Sequence, residues 1–283
     1  MDYLKGFERY LKSRGLSQRT ILSYLATLNK FNSWLIEKYK EAEVISVTAL
    51  DVADYRRHLI SLGKKPATVN LSLDVLRSFY KWADSQQIVP INPTSEVKRV
   101  SEQQKAPKWL ERRELGTFMR VVQKYGSVRD LALINLLLHT GLRISEACSL
   151  LEGDVIIKER SGLVKVRAGK GDKYREVPLN ITIRRILNIY IAELTSKWLF
   201  PGRKKYMTTR TAERIIRKYT KIVDLEITPH MLRHTFGKML IDSGESLERV
   251  AALMGHSDLN TTAKYTRPSM YDMEKAVEKL AWE

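Results

Sequence analysis

Residues 17–40 read SQRTILSYLATLNKFNSWLIEKYK, and within them Ile21, Tyr24, Leu25, Leu28, Phe31 and Leu35 recur at spacings of three and four. That is the repeat of an α-helix, so the stretch predicts one long helix whose single apolar stripe must be covered by neighbours. The neighbours are legible on both sides. DYLKGFERYLKSR (2–14) precedes it; TALDVADYRRHLISLG (48–63) follows, with Gly63 as its stop, and then PATVNLSLDVLRSFYKWADSQQ (66–87), with Pro66 pre-set for a first turn. Four helices on short loops predict a small bundle over residues 1–92.

Beyond it, VPINPTSEVKRVSEQQKAPKWL (89–110) carries three prolines among polar and charged residues without clean periodicity. Residues 93–108 therefore read as a linker. A second domain, 109–267, opens with two helical patterns, ERRELGTFMRVVQKYG and VRDLALINLLLHTG. It continues into LVKVRAGKGDKYREVPL (163–179), which alternates on both sides of a Gly-rich turn as a β-hairpin should. Helices resume from Thr182. The fold class expected is mainly α with a small β-hairpin or sheet (α+β), ending in a short tail helix over 268–283 whose Met273, Ala276, Val277 and Leu280 stand at helical spacing. A helix that short must dock to persist.

Composition narrows the partners. The 283 residues suffice for two ordinary domains, and 43% hydrophobic residues give each a core. Lys and Arg number 49 against 32 acidic residues, a formal charge of +17, of which +6 lies before residue 100 and +11 after it. Both halves can face a polyanion, and nucleic acid is the first candidate. Cys148 stands alone, which excludes an intramolecular disulfide, and LALINLLL is too short an apolar run to span a bilayer. With no signal peptide at the N-terminus, a cytoplasmic protein without membrane partners is expected. No HExxH, paired CxxC or carboxylate cluster occurs, so neither a metal site nor a cofactor is expected.

Four stretches concentrate groups that bind phosphate or move protons. In HTGLRISEACSL, Arg143 stands at a helix start, where N–H groups attract anions, and also within reach of Glu146 three residues on. In AGKGDKYREV, Lys170 and Lys173 occupy the hairpin tip, as catalytic groups or as solvated turn residues. In TPHMLRHTF, Thr228 and Pro229 fix a helix start, His230 and Arg233 share one face, and His234 is rotated roughly 100° from Arg233 and is read as packing locally. In LMGHSDLNTTAKYTR (253–267), Gly255 ends a helix, His256 lies just beyond it, and Tyr265 sits among small polar and cationic residues. Each signal alone has an ordinary structural reading. Together they supply what metal-free transesterification at a phosphodiester requires: a phenol to attack phosphorus, guanidinium forks for the transition-state oxygens, and proton carriers for the attacking and leaving oxygens.

With these residues in order, the chain resembles the tyrosine recombinase (phage integrase) family, most closely its Xer-type members. TGLRISEACSL, GKGDKYREVPL, TPHMLRHTF and LMGHSDLNTTAKYT carry the likeness. The resemblance implies an N-terminal SAM-like core-binding domain and a catalytic domain that clamp duplex DNA. It implies Tyr265 as nucleophile, Arg143 and Arg233 as the phosphate clamp, Lys170 as general acid, His230 assisting proton transfer, His256 bonding the phosphate, and Glu146 supporting the first arginine. It further implies site-specific recombination through a 3′-phosphotyrosine, by a homo-tetramer on DNA with a specific target site. A partner recombinase or DNA motor is possible on this resemblance, as are a tail docked on the neighbouring protomer, a cytoplasmic, nucleoid-associated location and resolution of chromosome or plasmid dimers. Gly153 departs from the family pattern, which has a bulky apolar residue there, and a packing difference is expected. A type IB topoisomerase-like DNA-relaxing enzyme and a non-catalytic DNA-binding regulator on the same scaffold are the alternatives.

Overall fold

The computed structural model describes residues 2–40, 43–102, 107–167, 174–256, 258–266, 273–274 and 277–280. The chain divides into two compact units, Met1–Gln104 and Lys105–Glu283.

The first unit is the expected four-helix assembly: α1 (Asp2–Ser13), α2 (Gln18–Tyr39), α3 (Ala49–Ser61) and α4 (Pro66–Ser85). Local chemistry sets the boundaries. Ser17 caps α2 by accepting from the Thr20 N–H, Thr48 and Asp51 form a reciprocal capping box on α3, and Pro66 opens α4. Gly15 and Gly63 take the left-handed backbone at the turns. The stripe of α2 buries Ile21, Leu28, Phe31 and Leu35, together with Trp34, against α1 and α4. Aromatic rings fill the centre, with Phe7 edge-on to Phe79 at 5.3 Å and Phe31 edge-on to Tyr55 at 4.8 Å.

The segment after α4 packs back onto this unit as far as Val100. Val89 and Val97 are buried in its core. The buried side-chain amide of Asn70 bonds both backbone groups of Val100, accepting from its N–H at 2.8 Å and donating to its carbonyl at 2.9 Å, while Arg56 donates to the Lys98 carbonyl at 2.8 Å.

In the second unit, α6 (Val128–Thr140) is the central pillar, buried on nearly every side. It packs against α8 (Ile181–Ala192) and α10 (Pro229–Asp242) and touches α5 (Arg112–Tyr125), α7 (Ile144–Ser149) and α9 (Thr209–Val223). Its one buried carboxylate, Asp130, accepts from the Tyr219 hydroxyl at 2.7 Å. The hairpin strands are β2 (Gly162–Val166) and β3 (Arg175–Pro178), antiparallel with Val166 opposite Arg175. A third strand, β1 (Val155–Ile157), extends the sheet in the order β1-β2-β3. β1 was not expected, because three residues are too few to show an alternation. Gly153 lies open, and a Cβ there would meet nothing within 4 Å. The unit closes with α11 (Leu247–Met254) and the short α12 (Asn260–Ala263). Among the described tail residues, Met273, Val277 and Leu280 are exposed. No helix of the described residues is long and apolar enough to cross a membrane.

Asn70→Leu is expected to release residues 97–102 and to destabilise the first unit by about 1–3 kcal/mol, since two backbone groups lose their buried partner. Amide exchange reads this directly, through lost protection at Val100 while the α2 core stays protected.

Candidate active site

The last turn of α11 organises the site. Gly255 ends the helix in the left-handed conformation (φ 65°), and His256 closes the turn by donating its N–H to the Ala251 carbonyl. The final carbonyls have no intrahelical partner and carry the negative end of the helix dipole. Three successive ones accept from three arginines of different origin. Leu253 O accepts from Arg175 Nε of β3 at 3.2 Å, Met254 O from Arg233 Nη2 of α10 at 2.7 Å, and Gly255 O from Arg143 Nη2 at the start of α7 at 3.1 Å. Glycine at 255 serves both backbone and space, because a Cβ there would lie 2.8 Å from Arg175 Nη1.

Arg143 stands at the N-cap position of α7 and pairs with Glu146 three residues on. Its N–H and Nη1 each reach a Glu146 carboxylate oxygen at 2.8 Å, and its side chain stays 26% exposed. Burial pushes the Glu146 carboxyl upward, but hydrogen bonds from Arg175 and Arg143 outweigh it and hold the group below its ordinary value, so Glu146 is ionised. Arg233 is 5% exposed and also donates to the Gly141 carbonyl. Burial and the nearby Arg143 push its pKa down to about 10, which leaves it charged at neutral pH.

Tyr265 lies under this cluster, 1% exposed, in a small core with Phe236, Val250 and Met254. Its ring rests against Gly237, where a Cβ would come within 2.8 Å, and is stacked at 6.5 Å on the His256 ring. Its hydroxyl is 2.7 Å from His234 Nδ1. His256 Nδ1 is 2.8 Å from Thr262 Oγ1. Burial, reinforced by His230 and Arg233, pushes His234 down to about 4; burial, with Arg233 and Arg143, does the same to His256. Burial pushes the Tyr265 phenol up to about 12. At rest the site thus holds a neutral phenol against a neutral imidazole, beneath uncompensated guanidinium charge.

The structure therefore gathers Arg143, Glu146, Arg233, His256 and Tyr265. His230 is exposed, one helical turn from His234 with ring centroids 6.4 Å apart. Lys170 and Lys173 lie outside the described residues. Sequence reasoning missed two contributors. The angle of His234 from Arg233 reads as local packing, although it stands four residues from His230 and so on the same stripe. Arg175 gave no local signal, since Glu146 lies 29 residues away.

This arrangement places a tyrosine hydroxyl, an imidazole in hydrogen-bond contact with it and three arginines together. Comparison with known proteins places the chain in a family. Residues 108–271 match the phage integrase family, and residues 4–87 match the phage integrase N-terminal SAM-like domain. The chain is 30% identical to tyrosine recombinase XerA of Pyrococcus furiosus, over 98% of this chain and 93% of that one. It is also 30% identical to tyrosine recombinase XerC of Bacillus subtilis, over 95% and 92%. The fold is similar to that of XerH site-specific recombinase bound to a palindromic difH substrate, with a TM-score of 0.77 at 20% identity over 98% of this chain and 94% of that one.

The two depressed histidines bind fewer protons folded than unfolded between about pH 6.5 and 4. The stability they contribute is complete above the unfolded value of 6.5 and is lost as pH falls through the folded value. The melting temperature is expected to drop across that window, and less steeply in His234→Asn. An equal slope in that variant contradicts a buried, neutral His234.

Proposed function

This chain belongs to the phage integrase family, tyrosine recombinases that cleave and rejoin DNA, and on that footing we propose that it acts through Tyr265 at a specific target site. The observation that carries the assignment is the Tyr265 hydroxyl, bonded to a neutral imidazole beside two arginines that share one helix end.

In the proposed reaction the Tyr265 oxygen attacks the scissile phosphorus, the bond to the 5′-oxygen breaks, and a 3′-phosphotyrosine and a free 5′-hydroxyl result. The phenol, at about 12, keeps its proton until the P–O bond begins to form; bonding to phosphorus then acidifies it, and His234 takes the proton across the existing hydrogen bond. A phosphate anion in the site raises the proton affinity of His234 and His256, because it offsets the arginine charges that depress them. Arg143 and Arg233 bind the non-bridging oxygens, and His256 supplies a further contact. His230, one turn before His234, passes the proton outward to solvent. Lys170 protonates the departing 5′-oxygen. Attack by a 5′-hydroxyl of the partner strand reverses the step, so bond energy is kept.

Four protomers on two sites would exchange strands in pairs, with the tail of each docked on its neighbour. The Xer relatives support resolution of chromosome or plasmid dimers by a cytoplasmic, nucleoid-associated protein, alone or with a second recombinase or a DNA motor.

A nicked duplex that traps cleaved product is expected to yield a covalent protein–DNA adduct, absent in Tyr265→Phe while DNA binding persists. Tight binding without an adduct supports the non-catalytic regulator instead, and relaxation of plasmid lacking any target site supports the topoisomerase-like alternative. Arg143→Ala and Arg233→Ala are each expected to slow cleavage roughly a hundredfold or more, as loss of a transition-state donor does elsewhere. Lys170→Ala is expected to recover on a substrate with a better 5′ leaving group; failure to recover assigns the general acid to another residue.

A further inference from the structure

Arg175 lies at the root of the hairpin and touches three parts of the site at once. Its Nη1 and Nη2 donate to both oxygens of Glu146, at 3.1 and 2.7 Å, and its Nε donates to the Leu253 carbonyl. Its side chain is 12% exposed and that of Glu146 is 2% exposed, so this is a nearly buried ion pair. The Glu146 carboxylate accepts two hydrogen bonds from Arg175 and two from Arg143, which fills its acceptor capacity.

Because Arg175 engages the carboxylate with both prongs of its fork, Arg143 needs only Nη1 to complete it and spends Nη2 on Gly255. Three positive charges meet one negative charge, which Arg175 and Arg143 share. Without Arg175, Glu146 would be a buried carboxylate with half its bonds unmade, a costly state. The nearest repair is for Arg143 to turn its own fork onto Glu146, abandoning Gly255 and its aim toward a phosphate.

We propose that Arg175 is a positioning residue for DNA cleavage: by taking half of the Glu146 carboxylate's bonds it lets Arg143 keep its contact to Gly255 and its remaining N–H donors for the scissile phosphate. The proposal rests on the functional reading above and adds a residue to it that acts through Glu146.

Adduct formation on a nicked duplex, in R175Q, E146Q and the double variant, tests it. R175Q is expected to cleave at least about tenfold more slowly than the parent chain with DNA affinity little changed. The double variant, lacking the carboxylate that captures Arg143, is expected to cleave at least about threefold faster than R175Q. A double variant as slow as R175Q, or slower, overturns the proposal, because a purely structural tie would lose further strength. A better 5′ leaving group is expected to leave the R175Q defect intact, and rescue by it would mean that Arg175 acts through the hairpin lysine instead. Should R175Q fail to fold, R175K keeps the charge without the fork and is expected to cleave within about tenfold of the parent, whereas loss as deep as that of Arg143→Ala overturns the proposal. Titration with inorganic phosphate, which needs no catalysis, separates the two levels: weaker binding in R175Q, restored in the double variant, supports the positioning role even if the parent forms no adduct and the functional reading falls. Equal phosphate binding in the parent and R175Q counts against it.

Discussion

Three adjacent carbonyls at the end of one short helix hold the catalytic unit's chemistry in place. An α-helix leaves its last carbonyls without partners, and α11 ends where Gly255 turns them toward Arg175, Arg233 and Arg143. Guanidinium groups repel one another, and water would disperse them. The helix end offers three acceptors in succession, with a partial negative charge, at a point where strand β3, helix α10 and the start of α7 converge. Glu146 then cancels one of the three charges and leaves two for a substrate. The same turn delivers His256, and nine residues later the chain returns with Tyr265 beneath it.

That geometry makes the resting site electrostatically poised. Burial and positive charge together keep His234 and His256 neutral, and burial keeps the phenol protonated. A phosphate changes both terms at once. In the proposed reaction it would satisfy the arginines and raise the basicity of the imidazole that touches the Tyr265 hydroxyl. The exposed His230 and the part-exposed Arg143 mark the open side of a site whose tyrosine and second arginine are otherwise enclosed.

Much of this is written in local sequence, and the exceptions share a cause. The stripe from Ile21 to Leu35 and the caps at Ser17, Thr48 and Thr228 are periodic or adjacent features, and they specify the helices they begin or line. The hairpin's alternation specifies β2 and β3, whereas β1 is paired strand only because β2 lies beside it. Asn70 reads as a polar residue in a helix, yet its amide holds Val100, thirty residues on. Arg175 reads as one more cation in a basic hairpin, and its fork on Glu146 exists only once the chain has folded. His234 is the instructive case, since its four-residue spacing from His230 was visible, but its place against Tyr265 depended on where the chain after α11 returned.

If the end of α11 holds Arg143 and Arg233 around the place a scissile phosphate occupies, a crystal structure of the Tyr265→Phe variant bound to a nicked duplex will show it most directly. The expected result is one backbone phosphate bonded by Arg143, Arg233 and His256, next to the substituted ring, with Glu146 still held by Arg175. A phosphate path that leaves Arg143 and Arg233 unengaged, with that ring still buried away from the DNA, would contradict it.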